Sequence, residues 1–169
     1  MAFEDFAERL GATRQSVAAA ARRAGRDPAD VTIVAVTKGH IFDAMTTAVA
    51  NGVLDLGENR VQEALPKLDR LGETPARVHL IGQLQANKVN KVVGRFASIM
   101  GVDRSDLLSR IVRRAEQAGC VQPVWIQVNT SGEAQKAGCA PEETGALVDA
   151  AAEAASVELL GLMTMGRAG

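Results

Sequence analysis

Val31-Thr32-Ile33-Val34-Ala35-Val36-Thr37-Lys38-Gly39 is the stretch on which the fold turns. Residues 31–37 carry no charge and are mostly β-branched. Such a run predicts a strand buried on both faces, as in a parallel sheet covered by helices. Lys38 then stands at the mouth of that strand, its ammonium beside a dry core. Desolvation favours the neutral amine, which is the form that condenses with an aldehyde. The sharp reading is a Schiff-base lysine. The plain one is a solvated lysine that starts a loop.

The same rhythm repeats along the chain. Phe3, Phe6, Leu10, Val17, Ala20, Ala21 and Ala24 recur at helical spacing, and Gly25 with Asp27-Pro28 ends that helix. Further helices are predicted over 42–50, closed by Asn51-Gly52, and over 60–71, stopped by Gly72. Pro66 marks a kink or a start within the latter. Others run over 85–93, from a cap at Asp103 to 118, and from Pro141 at a first turn to 155. Strands are predicted over 31–37, 53–56, 77–81, 96–102, 124–128 and 157–165.

Strict alternation of this kind means a parallel sheet covered by helices. An open doubly wound sheet and a β/α barrel compete. No Gly-x-Gly-x-x-Gly follows the first strand and no Walker lysine motif is present, which weakens the nucleotide-binding doubly wound reading. A β/α barrel takes eight strands and roughly 200–250 residues. Six predicted strands in 169 residues read as a barrel ending after its sixth strand.

Composition narrows the function. Hydrophobic residues make up 47% and charged residues 23%, with 19 basic and 20 acidic side chains. That balance suggests neither nucleic acid nor a membrane surface as partner. The first ten residues carry Glu4, Asp5 and Glu8 and lack the apolar run of a signal peptide. Cys120 and Cys139 form neither a metal cluster nor a disulfide framework, so the expected location is the cytoplasm. With only His40 and His79, no Ser/His/Asp or Cys/His arrangement stands out.

Function in either architecture gathers at the C-terminal ends of the strands. Those ends hold Lys38; Glu58-Asn59; His79 to Gly82 with Gln85, Asn87 and Lys88; Asp103-Arg104; Asn129 with Ser131, Glu133 and Lys136; and Met163 to Met165. Each has a plainer reading. Glu58 and Asn59 could cap the next helix, His79 could be a satisfied core histidine, and the segment 131–136 could be a surface loop. Together they look like the rim of a site.

The motifs, in order, are Val34-Ala35-Val36-Thr37-Lys38, then Gly57-Glu58-Asn59-Arg60-Val61-Gln62-Glu63, then His79-Leu80-Ile81-Gly82-Gln83-Leu84-Gln85-Ala86-Asn87-Lys88. Gln127-Val128-Asn129 follows, with Ser131, Glu133, Lys136 and Gly138, and Gly161-Leu162-Met163-Thr164-Met165 closes the series. This string resembles the YggS/PROSC-like family of pyridoxal 5'-phosphate (PLP) homeostasis proteins over essentially the whole chain. The resemblance implies a (β/α)8 TIM barrel of the alanine racemase N-terminal type, here truncated after the sixth strand. It implies PLP held as an internal aldimine on Lys38, with Asn59 and Met163 lining the pocket and His79 close to it. Lys136 matches a second lysine of the family near the mouth, a secondary contact. His40 stands where many relatives have another lysine. The family's phosphate-holding and pyridine-facing segments belong to two further strands, beyond Gly169.

The resemblance also implies a carrier of the cofactor that maintains vitamin B6 supply, with PLP-dependent apoenzymes as recipients. The full-length family is expected to be monomeric. A chain with two open sheet edges is expected to self-associate. The alternative is a PLP-dependent racemase-like enzyme. A two-base racemase needs an acid/base group on each face of the substrate, and alanine racemases take one as a tyrosine from a second domain. This chain has no Tyr, which favours the carrier.

Overall fold

Parallel strands lie side by side in chain order, without a skipped position: β1 (Ala35–Val36), β2 (Asp55–Glu58), β3 (Arg77–Leu80), β4 (Ser98–Val102), β5 (Gln122–Gln127) and β6 (Val157–Met163). Helix α1 (Phe6–Arg23) precedes them, and α2 (Asp43–Ala50), α3 (Val61–Leu71), α4 (Val89–Val92), α5 (Ser105–Ala118) and α6 (Thr144–Glu153) fill the crossovers. The computed structural model describes residues 3–133 and 135–166. In a doubly wound sheet the strand order reverses, so unbroken sequential order selects the wall of a β/α barrel. The end of the chain at Gly169 lies outside the described residues.

One contiguous core sits between sheet and helices. Leu56, Leu80, Ile99, Val124 and Ile126 project from the strands, and Leu107, Leu108, Ile111 and Ala115 from α5, all buried. The α5 residues follow the i, i+3, i+4 spacing of an amphipathic helix, and each large side chain so buried contributes ~1.5–3 kcal/mol. Gly119 stops α5 in the left-handed conformation at φ +64°, as the sequence predicts.

Several expected details change. The first strand shrinks from 31–37 to Ala35–Val36, and Val36 is 48% exposed. It is an outer strand with β2 as its one described neighbour, so one of its edges is unpaired. The predicted strand 53–56 starts and ends later, at Asp55–Glu58. The predicted helix 85–93 divides into a 3-10 turn, Ala86–Lys88, and the single turn of α4. Asp103 does not cap α5: Arg104 takes the cap position, and the Asp103 carboxylate accepts from its guanidinium at 2.8 Å. Pro66 lies inside α3 without ending it.

Candidate functional site

The last β1–β2 pair is Val36 opposite Gly57. Lys38 and Asn59 each stand two residues past it, at the C-terminal rim of the sheet. Lys38 is exposed and bonds to no described residue. The dry core expected beside it is therefore absent, because the strand it follows is half open. Asn59 is exposed and lies against Gly82, where an added Cβ would come within 2.3 Å of the Asn59 carbonyl oxygen.

A cavity of about 590 Å³ opens at this rim. Asn59, Arg60, Lys88, Gln127 and Lys136 supply its polar wall, and Ile81 and Met165 its apolar one. No carboxylate is among its described lining residues; Arg60 is paired with Glu63 at 3.0 Å and Lys136 with Glu133, which leaves Lys88 as the cation of the wall with no described carboxylate partner. Its size suits a small cofactor.

The loop carrying Lys136 is built by one asparagine. Asn129 Nδ2 donates to the carbonyls of Glu133 and Lys136 at 3.0 and 3.2 Å, and its Oδ1 accepts from the Ser131 amide and hydroxyl at 3.2 and 2.9 Å. Cys139 then returns beside the end of β5, its amide donating to the Gln127 carbonyl at 2.9 Å. Gly138, at φ +122°, allows that return: a Cβ there would lie 2.5 Å from the Asn129 nitrogen. Lys136 Nζ pairs with Glu133 at 2.6 Å and donates to the Gly166 carbonyl at 3.1 Å. The ammonium beside Glu133 holds that carboxyl below the usual range.

His79 is placed differently from the other candidates. It is buried within β3 and does not line the cavity. Its Nδ1 lies 2.8 Å from the Ser98 hydroxyl and its Nε2 2.9 Å from Asp55, which also receives a bidentate fork from Arg77 at 2.7 and 2.6 Å. A neutral ring satisfies both contacts, Nε2 donating to Asp55 and Nδ1 accepting from Ser98. Met163 ends β6 half-buried, and Met165, two residues on, reaches the cavity. Asn59 and Lys136 therefore share one cavity; Lys38 stands at the same sheet rim but, like Met163, is not among the residues that line it, and His79 belongs to a separate buried network.

That network gives a pH test. Hydrogen bonding from Arg77, then from His79, holds the Asp55 carboxyl below its ordinary value of 3.8 against the opposing effect of burial. Its folded value being lowered, its stabilising contribution is full above the unfolded value and is lost as pH falls through the folded one. Asp55→Asn is expected to lower stability at neutral pH and to flatten the loss of stability as pH falls below about 4. Denaturant melts across that range check it; an unchanged slope contradicts it.

Sequence reasoning passed over Lys67. This α3 residue donates through Nζ to Glu58 at 2.6 Å and to the Thr37 carbonyl at 3.0 Å. Its signal was position: it falls three residues after buried Ala64, within the apolar stripe of the helix. A lysine there announces a buried partner. That partner is Glu58, which is fully buried and accepts from the Thr37 hydroxyl at 2.7 Å rather than capping α3.

Among the described residues no cluster of His, Cys, Asp and Glu could hold a metal ion, and no helix is long and apolar enough to cross a membrane.

The model of the alanine racemase N-terminal domain matches residues 9–168. The pyridoxal phosphate homeostasis protein of Pseudomonas aeruginosa is 38% identical over 95% of this chain and 70% of its own length. PipY of Synechococcus elongatus, solved with PLP bound, superposes with a TM-score of 0.82 at 33% identity, over 96% of this chain and 71% of PipY. Alanine racemase of Clostridium difficile, at 16% identity, shares the fold with a TM-score of 0.70 over 82% of this chain and 37% of its own. A lysine at the sheet rim and this likeness over nearly the whole chain agree: the chain belongs to the pyridoxal phosphate homeostasis proteins, within the family of the alanine racemase N-terminal domain.

Proposed function

We propose that this chain binds pyridoxal 5'-phosphate through Lys38 and acts as a carrier in PLP homeostasis rather than as an enzyme. The observation that carries the reading is the free, exposed amine of Lys38 at the rim where Asn59 and the donor-lined cavity lie. Bound PLP supplies an aldehyde and an electron-accepting pyridine ring. The Lys38 nitrogen bonds the aldehyde carbon and water leaves, which needs an uncharged amine and open access. Asn59 is placed to orient the ligand. Lys88 offers positive charge to its phosphate, Arg60 and Lys136 being held by Glu63 and Glu133, and Ile81 and Met165 offer apolar surface to its ring. Relatives at 33–38% identity are known as pyridoxal phosphate homeostasis proteins, which supports the same reading.

Three features favour a carrier. Lys38 is open to water, whereas an amino-acid racemase shields its reacting carbon from side reactions. The chain has no tyrosine to serve as a second base. His79 has both ring nitrogens engaged in a buried network and is not free to shuttle protons at the cavity.

PLP added to the purified chain, followed by borohydride and peptide mapping, is expected to place a stable adduct on Lys38 and to lose it in Lys38→Ala. An adduct that forms equally in Lys38→Ala refutes the assignment. Racemisation of amino acids by the PLP-loaded chain would refute the carrier.

A further inference from the structure

We propose that Glu58 and Lys67 are positioning residues for Lys38, acting through Thr37. The inference rests on the reading of Lys38 as the aldehyde-capturing lysine. Strand β1 is two residues long and has a neighbour on one side, so its ladder holds the Lys38 backbone weakly. Every polar group of Thr37 is engaged instead. Its amide donates to the Gly57 carbonyl at 3.0 Å, and its hydroxyl to Glu58 at 2.7 Å. Its carbonyl accepts from Lys67 Nζ at 3.0 Å and from the His40 amide at 3.2 Å, across a turn in which Gly39 adopts φ +73°. That carbonyl belongs to the peptide joining Thr37 to Lys38, so the ammonium of Lys67 fixes the plane from which Lys38 departs.

Stability alone does not account for this pair. A buried ion pair is at best even with apolar packing of similar volume, because two charges leave water. Here the cost is visible: Glu58 Oε2 is buried with no hydrogen-bond partner among the described residues. An apolar side chain at position 67 would fill the space and leave the Thr37 carbonyl unheld. What the pair adds over packing is a fixed direction for the next residue.

The test uses the full chain and pyridoxal, the aldehyde without phosphate, so that anion contacts drop out. Borohydride trapping followed by peptide mapping gives the ratio of adduct on Lys38 to adduct on exposed Lys91, an internal reference that general loosening of the fold does not move. In the charge-free double variant K67M/E58Q the ratio is expected to fall on the order of tenfold or more, as misplacement of a reacting group does. K67R, which keeps a donor for both oxygens, is expected to recover most of it. A folded K67M/E58Q with the wild-type ratio overturns the positioning role while leaving Lys38 as the capturing lysine. No preferred labelling of Lys38 in the wild type overturns both readings. Should the double variant not fold, Thr37→Val decides in the same way: an unchanged ratio overturns the inference, and a several-fold drop upholds it.

Discussion

Lys67→Met alone is expected to destabilise the chain by about 3–5 kcal/mol, the loss typical of removing one partner from a buried ion pair. Glu58 is fully buried, and Lys67 shows only 11% of its side chain to solvent. Methionine matches the lysine stem in volume, so the change isolates the ammonium. It leaves the Glu58 carboxylate with the Thr37 hydroxyl as its one remaining described donor, and it removes the side-chain donor to the Thr37 carbonyl. In a chain of this size, each kcal/mol shifts the melting temperature by about 2–4 °C, so a fall of roughly 6–20 °C follows. The companion K67M/E58Q is expected to recover more than half of that loss, because no charge is then left buried alone. Calorimetry of the two variants checks the pair. A single variant within about 1 kcal/mol of wild type would mean that water reaches Glu58 and that the pair is not sealed.

The existence and order of the elements could be read from the sequence because β-branched runs alternate with helical periods punctuated by glycine. What the sequence could not show depends on neighbours. Val31 to Val36 has the composition of a strand covered on both faces, yet the sheet gives it one neighbour and leaves Val36 half open. Gly57-Glu58 reads as a turn because neither residue favours strands. In the fold they pair with His79 and Leu80, and Lys67 from another element balances the buried Glu58 charge. Asn59, Lys136 and the rim position of Lys38 were legible because motifs sit at strand ends. The network of His79, Asp55, Arg77 and Ser98 was not, since its members come from three strands whose register the sequence does not print.

Gly82→Ala is expected to disturb both stability and site. Gly82 is buried after β3, and a Cβ on it would meet the Asn59 carbonyl oxygen at 2.3 Å, Asn59 Oδ1 at 2.5 Å and Asn59 Cγ at 2.9 Å. The first contact is backbone and cannot swing aside, so the β2–α3 loop must move. Overpacking of this kind costs typically 1–3 kcal/mol, and a clash with main chain belongs at the top of that range. A melting temperature lower by roughly 6–12 °C follows for about 3 kcal/mol. Asn59 would be pushed from its place on the cavity wall, so affinity for PLP is expected to fall as well. Gly145→Ala is the matched control: it lies in α6, exposed, with nothing within 4 Å of an added Cβ. There the same methyl group is expected to stabilise by roughly 0.5–1 kcal/mol, because alanine loses less backbone entropy in a helix. Opposite signs at the two glycines, with ligand affinity lost only at Gly82, support the close packing of Gly82 on Asn59. Equal effects at both would refute it.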